Sequence, residues 1–503
     1  MSRDNFKLAK TILITGFGVF ISYAINFLLT PYITDNVGIE AYGFVSIAKT
    51  AVSYAEIITV ALTTFVVRYI SISYHKGNMQ EAGEYYSSSV LGCILLPGVV
   101  FAGALPLILN MEHLLKIPVN LVFSVKILFI LVFLNFVFTT IITPLSVGSY
   151  IKNRLDLLGT VNILSYLCDA AILIILFFNF EPVIWFLGIG SLSASIVKLA
   201  GNLVLKNKLT PNLHFKKSFA SFKKVWQMMS NGIWQSVNSV GNVLNSGLDL
   251  IVSNLMLSGV ETGEISVTKT IVIMFSMLYQ VVFQPFQPHM LKSYSTGDMD
   301  LFIKDTSKAM KICGYFSNAA FAGFVALGPL YYRLWLPSQN TGLLYMLTMV
   351  NISISITEGI SHPMYYISTL ALKKRMPCII TVLGGAANTL GMYFLLKYTN
   401  LGPYAIVLTT AVIMTLINLI FTPIYAAYCI HVKVLKFYKV IIPHIISSAL
   451  MTAVFKAAVG IIKPHSWLTL IFCAFIMAGA GAVIHAVIMD FKGVAGYIRR
   501  TFF

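Results

Sequence analysis

Asn231, Gln235, Asn238, Asn242 and Asn245, followed by Asp249, are spaced four, three, four, three and four residues apart within an otherwise oily stretch. That rhythm puts all six on one face of an α-helix. A carboxamide donates and accepts hydrogen bonds at once, so the stripe can serve either of two purposes. It can bind neighbouring helices, where an interhelical bond in lipid contributes about 1–2 kcal/mol at best. Or it can line water. Six polar groups on one helix are too many for protein partners to match, and facing acyl chains would leave them unsatisfied. A water-filled cavity is the expectation.

Ionisable residues inside apolar runs form the second set, because each costs about 2.5–3.5 kcal/mol at mid-membrane and so usually faces an interior. Lys49 and Lys269 each head a polar face, with Ser46, Ser53 and Glu56 along the first and Ser276, Gln280 and Gln284 along the second. Either lysine can line a cavity or reach out to headgroups with its long stem. Lys126 and Lys198 read as headgroup anchors on their context alone. Arg68, at the end of the second apolar run, can grip a phosphate bidentately or act as an ordinary basic anchor. Asp169 is a further candidate. Glu358 and His362 lie one turn apart on a face shared with Asn351, a spacing that allows a structural pair or a proton-linked switch.

What must position these residues is a membrane. The chain has 503 residues, 57% hydrophobic and 11% charged, against about 25% charged in soluble domains. Hydropathy gives about fourteen spans, at 11–33, 42–66, 87–108, 120–145, 157–179, 183–204, 227–257, 263–287, 308–331, 342–369, 377–396, 403–430, 438–461 and 466–489. Each can cross a hydrocarbon layer of about 30 Å. The first run is too long for a signal peptide and reads as the first span. One set of connections holds 26 Lys and Arg residues and the opposite set four, which places both termini in the cytoplasm. The net charge of +17 is thereby a topology signal facing lipid headgroups, with no nucleic-acid partner implied. The six cysteines show no metal spacing. No phosphate-binding loop appears, and no cofactor or metal is expected. The Asp298–Asp300 "DMD" resembles a transferase metal motif, but Asp298, like Asn78, follows a glycine and opens a helix, so both read as N-caps.

Residues 41–80 and 261–300 repeat at a fixed shift of 220, with Gly43, Ser46, Lys49, Thr50, Ser73, Tyr74 and Gly77 matching Gly263, Ser266, Lys269, Thr270, Ser293, Tyr294 and Gly297. Six spans separate the copies, so both point the same way through the membrane, as in parallel transporter repeats. The expected architecture is an all-α integral membrane protein with two pseudo-symmetric six-helix lobes. Residues 1–205 form the N-lobe, 206–226 a basic linker, 227–431 the C-lobe, and 432–503 helices 13 and 14 with a tail. The shift also sets the amide stripe over span 1, where Thr15, Ser22 and Asn26 share a face. Two such faces would line a common aqueous cavity.

With this layout, the "GIEAYGFVSIAKT" phrase opening span 2 and the "RYIS…KGNMQEA" run at 68–82, the chain resembles the polysaccharide transporter (Wzx-type) flippases of the multidrug/oligosaccharidyl-lipid/polysaccharide exporter superfamily. The resemblance implies a transporter, not an enzyme, in the bacterial cytoplasmic membrane. It implies a substrate too: an undecaprenyl-diphosphate-linked oligosaccharide moved outward by alternating access for surface polysaccharide synthesis. A polysaccharide polymerase and a chain-length regulator are further partners it implies. The amides Asn26, Asn231, Gln235, Asn238, Asn242, Asn245, Gln280 and Gln284, with Asp249, would then meet sugar hydroxyls. Lys49, Lys269, Arg68 or Lys126 would meet the diphosphate, and Glu358 with His362 would be the place for ion coupling. Multidrug extruders of the superfamily commonly carry an acid in span 1, where this chain has Asn26. Lipid II flippases carry a cluster of cavity arginines, and spans 1 and 2 here hold none before Arg68. Both stay open as alternatives. A membrane-embedded glycan polymerase or ligase, the alternative from another class, is expected to use a sizeable external loop, and the external connections here are short.

Overall fold

The computed structural model describes residues 3–489. They form helices joined by short turns, with no strand among the described residues. An apolar run in lipid must satisfy its own backbone hydrogen bonds, and the α-helix does so within one segment. In the first part of the chain these are α1 (Arg3–Asn36), α2 (Ile39–His75), α3 (Met79–Leu109), α4 (Val122–Ile151), α5 (Leu155–Asn179), α6 (Phe186–Leu209), α7 (Phe222–Ser246) and α8 (Leu248–Met256). Then come α9 (Gly259–Phe283), α10 (Gln287–Ser295), α11 (Met299–Trp335), α12 (Thr341–Ile352), α13 (Ile354–Leu370) and α14 (Arg375–Tyr398). The last are α15 (Pro403–Leu416), α16 (Thr422–Ile430), α17 (Leu435–Ile462) and α18 (Trp467–Met489). Among the described residues, twelve helical stretches are long and apolar enough to cross a membrane. The chain is a multi-pass helical membrane protein. At 25 residues α7 is long enough to cross as well, but its amide stripe keeps it out of that set.

Several of the expected spans are broken. The one at 227–257 divides at Gly247 into α7 and α8, and the one at 342–369 divides at Ser353 into α12 and α13. After α9 the chain tightens into a 3₁₀ turn over Gln284–Phe286, where Pro285 cannot donate to the helical ladder. A π turn, Ile417–Phe421, joins α15 to α16.

The repeat is visible as matching local geometry. Gly77 and Gly297 both take left-handed backbone, with φ of +77° and +75°, a conformation glycine adopts without a Cβ penalty. The following residues are N-caps, as the sequence indicates. Asn78 Oδ1 accepts from Glu81 N at 3.1 Å, and Asp298 Oδ1 accepts from Leu301 N at 2.9 Å. Asn78→Ala and Asp298→Ala are each expected to lower stability by about 1 kcal/mol, read as a fall in Tm in detergent. An unchanged Tm would show that the caps contribute nothing.

The chain forms two compact units, Met1–Gly263 and Glu264–Phe503. In the first, the ends of α2, α3, α4 and α6 that adjoin the basic connections meet the segment that leads into α7. Leu62, Val66, Tyr85, Val147 and Met228 are buried together there. The Lys152 and Lys206 ammonium groups sit over the Tyr74 and Tyr86 rings, and Lys216 N and Ser221 N donate to Ser87 Oγ and Ser88 Oγ. Near the opposite end of the same unit, Asn254 of α8 clamps the backbone of Lys116 with both atoms of its amide, at 3.0 and 3.3 Å.

In the second unit α17 and α18 are integral, pinned by two buried histidines. His444 Nε2 donates to Ile356 O at 2.6 Å, and its Nδ1 and carbonyl accept from Asn318 Nδ2. His485 Nε2 donates to Lys311 O, and its Nδ1 accepts from Ser447 Oγ, both at 2.9 Å. With each ring nitrogen matched, these side chains tie the last two helices to α11 and α13.

Candidate functional site

The site is built on the pair α2 and α7, both in the first unit. α7 presents three different surfaces. Val225, Met228, Gly232, Ser236 and Val243 are buried and form its seam with α2. Helices approach closely in lipid where residues are small. A Cβ on Gly232 would fall 1.9 Å from Ala61 O, so glycine is required by the contact. One turn on, Ser236 Oγ donates to Ile57 O at 2.6 Å. A second surface is apolar, with Trp226 and Ile233 exposed and Val237 and Leu244 half-buried. The third is the amide flank.

Along that flank Asn231, Gln235 and Asn242 are exposed and Asn238 is half-buried. Asn231 Nδ2 donates to Tyr69 Oη at 2.6 Å and to Gln227 O at 2.9 Å. Further on the stripe enters protein. Asn245 and Asp249 are 7% and 4% exposed. Asn245 Nδ2 donates to Gly241 O, and Asp249 accepts from Leu250 N beside Tyr54 of α2. The stripe thus has an accessible portion, 231–242, and a buried portion at its end.

The other residues singled out from sequence are distributed as follows. Asn26 is exposed on α1, and the side chains of Thr15 and Ser22 lie outside the described residues. So does that of Gln280, whereas Gln284 is exposed. Arg68 is exposed, its guanidinium carbon 5.8 Å from the Phe65 ring centroid. Lys126 Nζ is 2.7 Å from a Glu112 carboxylate oxygen. The hydrogen bond from Lys126 holds the Glu112 carboxyl below the usual glutamate range. Lys269 is half-buried in the second unit. Glu358 and His362 share α13 but form no ion pair with each other among the described residues. Glu358 meets Ser276, and His362 is edge-on to the rings of Phe283 and Tyr365.

One convergence is absent from the sequence reading. Asp169 of α5 lies against Gly190 of α6, within electrostatic reach of both Lys49 of α2 and Lys198 of α6. Lys198 also sits over the Tyr166 ring at 4.6 Å. Asp169 thus lies in the field of two lysines from neighbouring helices, with no ion pair to either of them among the described residues. No local spacing signals this, because the helices come together only in the fold.

Comparison with known proteins agrees with this architecture. Residues 8–292 match the family described as "Polysaccharide biosynthesis protein". The uncharacterized membrane protein EpsK of Bacillus subtilis (strain 168) is 28% identical over 454 residues, covering 90% of this chain and 89% of that protein. Among solved structures, the lipid II flippase MurJ in an inward closed conformation superposes with a TM-score of 0.68 at 13% identity, covering 94% of this chain and 99% of that one. A multidrug resistance MATE family transporter of the MOP superfamily, inward-facing, superposes with a TM-score of 0.64 at 13% identity, covering 81% and 95%. At such identities the superpositions establish a shared fold.

Proposed function

The chain belongs to the polysaccharide biosynthesis protein family, and from that premise we propose that it is a flippase for isoprenoid-diphosphate-linked oligosaccharide units. It carries them across the cytoplasmic membrane by alternating access, with both chain termini on the cytoplasmic side. The observation that carries this reading is the division of α7 into a small-residue seam and a separate, accessible amide flank. The close contact with α2 is made by Gly232 and Ser236, while Asn231, Gln235 and Asn242 lie exposed on the other flank with Asn238 half-buried beside them. Paired donors and acceptors without charge suit hydroxyl-rich headgroups. The diphosphate calls for cations, for which exposed Lys49 and Arg68 remain suited. Lys126 is already engaged by Glu112.

A drug or cation exporter shares the fold, but the accessible part of the stripe is neutral and its one acid, Asp249, is buried. That favours a neutral glycan over a cation. Reconstitution in liposomes tests the proposal. A fluorescent polyprenyl-diphosphate oligosaccharide placed in one leaflet is expected to become accessible in the other at least tenfold faster with protein than without. Equal rates with and without protein, under conditions where it is folded, would refute it.

A further inference from the structure

The first unit contains an open-sided cavity of about 420 Å³ among α2, α4, α5 and α6, at the end that carries the basic connections. That is within the range of small-molecule sites, about 300–1,000 Å³, and well above the share of one water, about 30 Å³. Of its eleven lining residues, eight carry a hydroxyl or an amide and none carries a charge. Part of this wall offers acceptors. Thr64, Thr139 and Ser146 donate their protons to carbonyls of their own helices, Val60 O, Phe136 O and Thr143 O, at 2.7, 3.0 and 2.8 Å. Their oxygens keep free lone pairs. Asn202 lines the cavity while only 1% exposed. Its Nδ2 is used on Lys198 O, and its buried Oδ1 has no hydrogen-bond partner. A buried acceptor left unmatched is destabilising by about 1–3 kcal/mol, so a group that brings donors to this wall is favoured there.

The wall itself has neither a basic side chain for an anion nor a carboxylate for a cation. A sugar ring brings several hydroxyl donors. Arg68 follows the lining residue Thr64 by one turn of α2 and is exposed, so its guanidinium is suited to a phosphate attached to such a ring. We propose that this cavity is the subsite for the sugar adjoining the diphosphate, occupied as the substrate enters from the basic side, with Arg68 on the phosphate. The proposal rests on the flippase reading given above.

Thr143→Cys, which keeps the volume of a lining residue, supplies the test. Full-length protein in nanodiscs is alkylated with a maleimide, and labelling at position 143 is read by peptide mass spectrometry. Three probes are compared: a polyprenyl-diphosphate N-acetylglucosamine, the same lipid diphosphate without sugar, and free N-acetylglucosamine. The sugar-bearing lipid is expected to protect position 143, and the bare lipid diphosphate is not. Adding Asn202→Leu is expected to raise the concentration needed for protection by about three- to tenfold, the effect of one hydrogen bond. Should Asn202→Leu misfold, Ser146→Ala serves in its place. Arg68→Gln is likewise expected to raise the concentration of the sugar-bearing lipid needed for protection. No protection by any probe, while the liposome assay still shows transport, would overturn the cavity assignment and leave the flippase reading standing. Protection by free sugar alone, with no transport, would overturn the flippase reading and with it this assignment. Equal protection by the sugared and bare lipids would show that the cavity does not read the sugar.

Discussion

Asn238→Leu combined with Asn242→Leu is expected to cut transport of the lipid-linked glycan by more than tenfold, with little change in the amount of folded protein. Both positions lie on the amide flank, Asn238 half-buried and Asn242 exposed, and neither belongs to the seam with α2. Leucine is a better helix former than asparagine, so α7 itself is not weakened. What disappears is two sets of donors and acceptors from the accessible stripe. With a net loss of about 0.5–1.5 kcal/mol per hydrogen bond, and apolar groups left to face water, losing one or two bonds at each position accounts for about one to two decades. The measurements are surface glycan in cells lacking the native copy, together with Tm and membrane level of the variant. Normal surface glycan in the double variant would mean that the stripe does not touch the substrate. A collapse in Tm would mean that it is a packing surface after all.

The second large effect falls on the other side of the same helix. Gly232→Leu is expected to destabilise the first unit by about 3 kcal/mol or more, at the upper end of overpacking effects. A Cβ at this position would stand 1.9 Å from the carbonyl oxygen of Ala61 and 2.7 Å from its carbonyl carbon. These are backbone atoms in the middle of α2, so no rotamer change relieves the clash and the two helices must separate. Gly103→Ala in α3 is the matched control, because a Cβ there meets nothing within 4 Å. It should be neutral or slightly stabilising. The comparison is read as the monodisperse fraction on size exclusion and as Tm. Wild-type behaviour of Gly232→Leu would contradict the close α2–α7 seam.

These two predictions also show where the sequence is informative. The amide stripe is legible because one helix carries the whole pattern, and a 3.6-residue period survives into the fold unchanged. The caps at Asn78 and Asp298 are legible for the same reason, each being a three-residue device beside a left-handed glycine. Gly232 and Ser236 were legible in principle as small residues four apart, the spacing that permits close helix contact, but the neighbouring amides form the louder pattern. The breaks at Gly247 and Ser353 were not legible, since hydropathy runs through them without interruption. The placing of Asp169 within electrostatic reach of Lys49 and Lys198 depends on how the helices of the first unit pack, which no single segment encodes. The neutral cavity is hidden for a different reason. Ser and Thr in apolar helices commonly return their protons to their own backbone, so in the sequence they look like filler. Only their convergence around Asn202 distinguishes them.

The claim on which the rest depends is that the amide flank of α7 borders water while its seam does not. Single cysteines placed at 228, 231, 235, 236, 242 and 249, probed in membranes with a charged maleimide, address it directly. The structure predicts rapid labelling at 231, 235 and 242, and protection at 228, 236 and 249. Protection at 231, 235 and 242 as complete as at 236 would mean that the amides are sealed in protein or lipid, and a hydrated path along α7 would be ruled out.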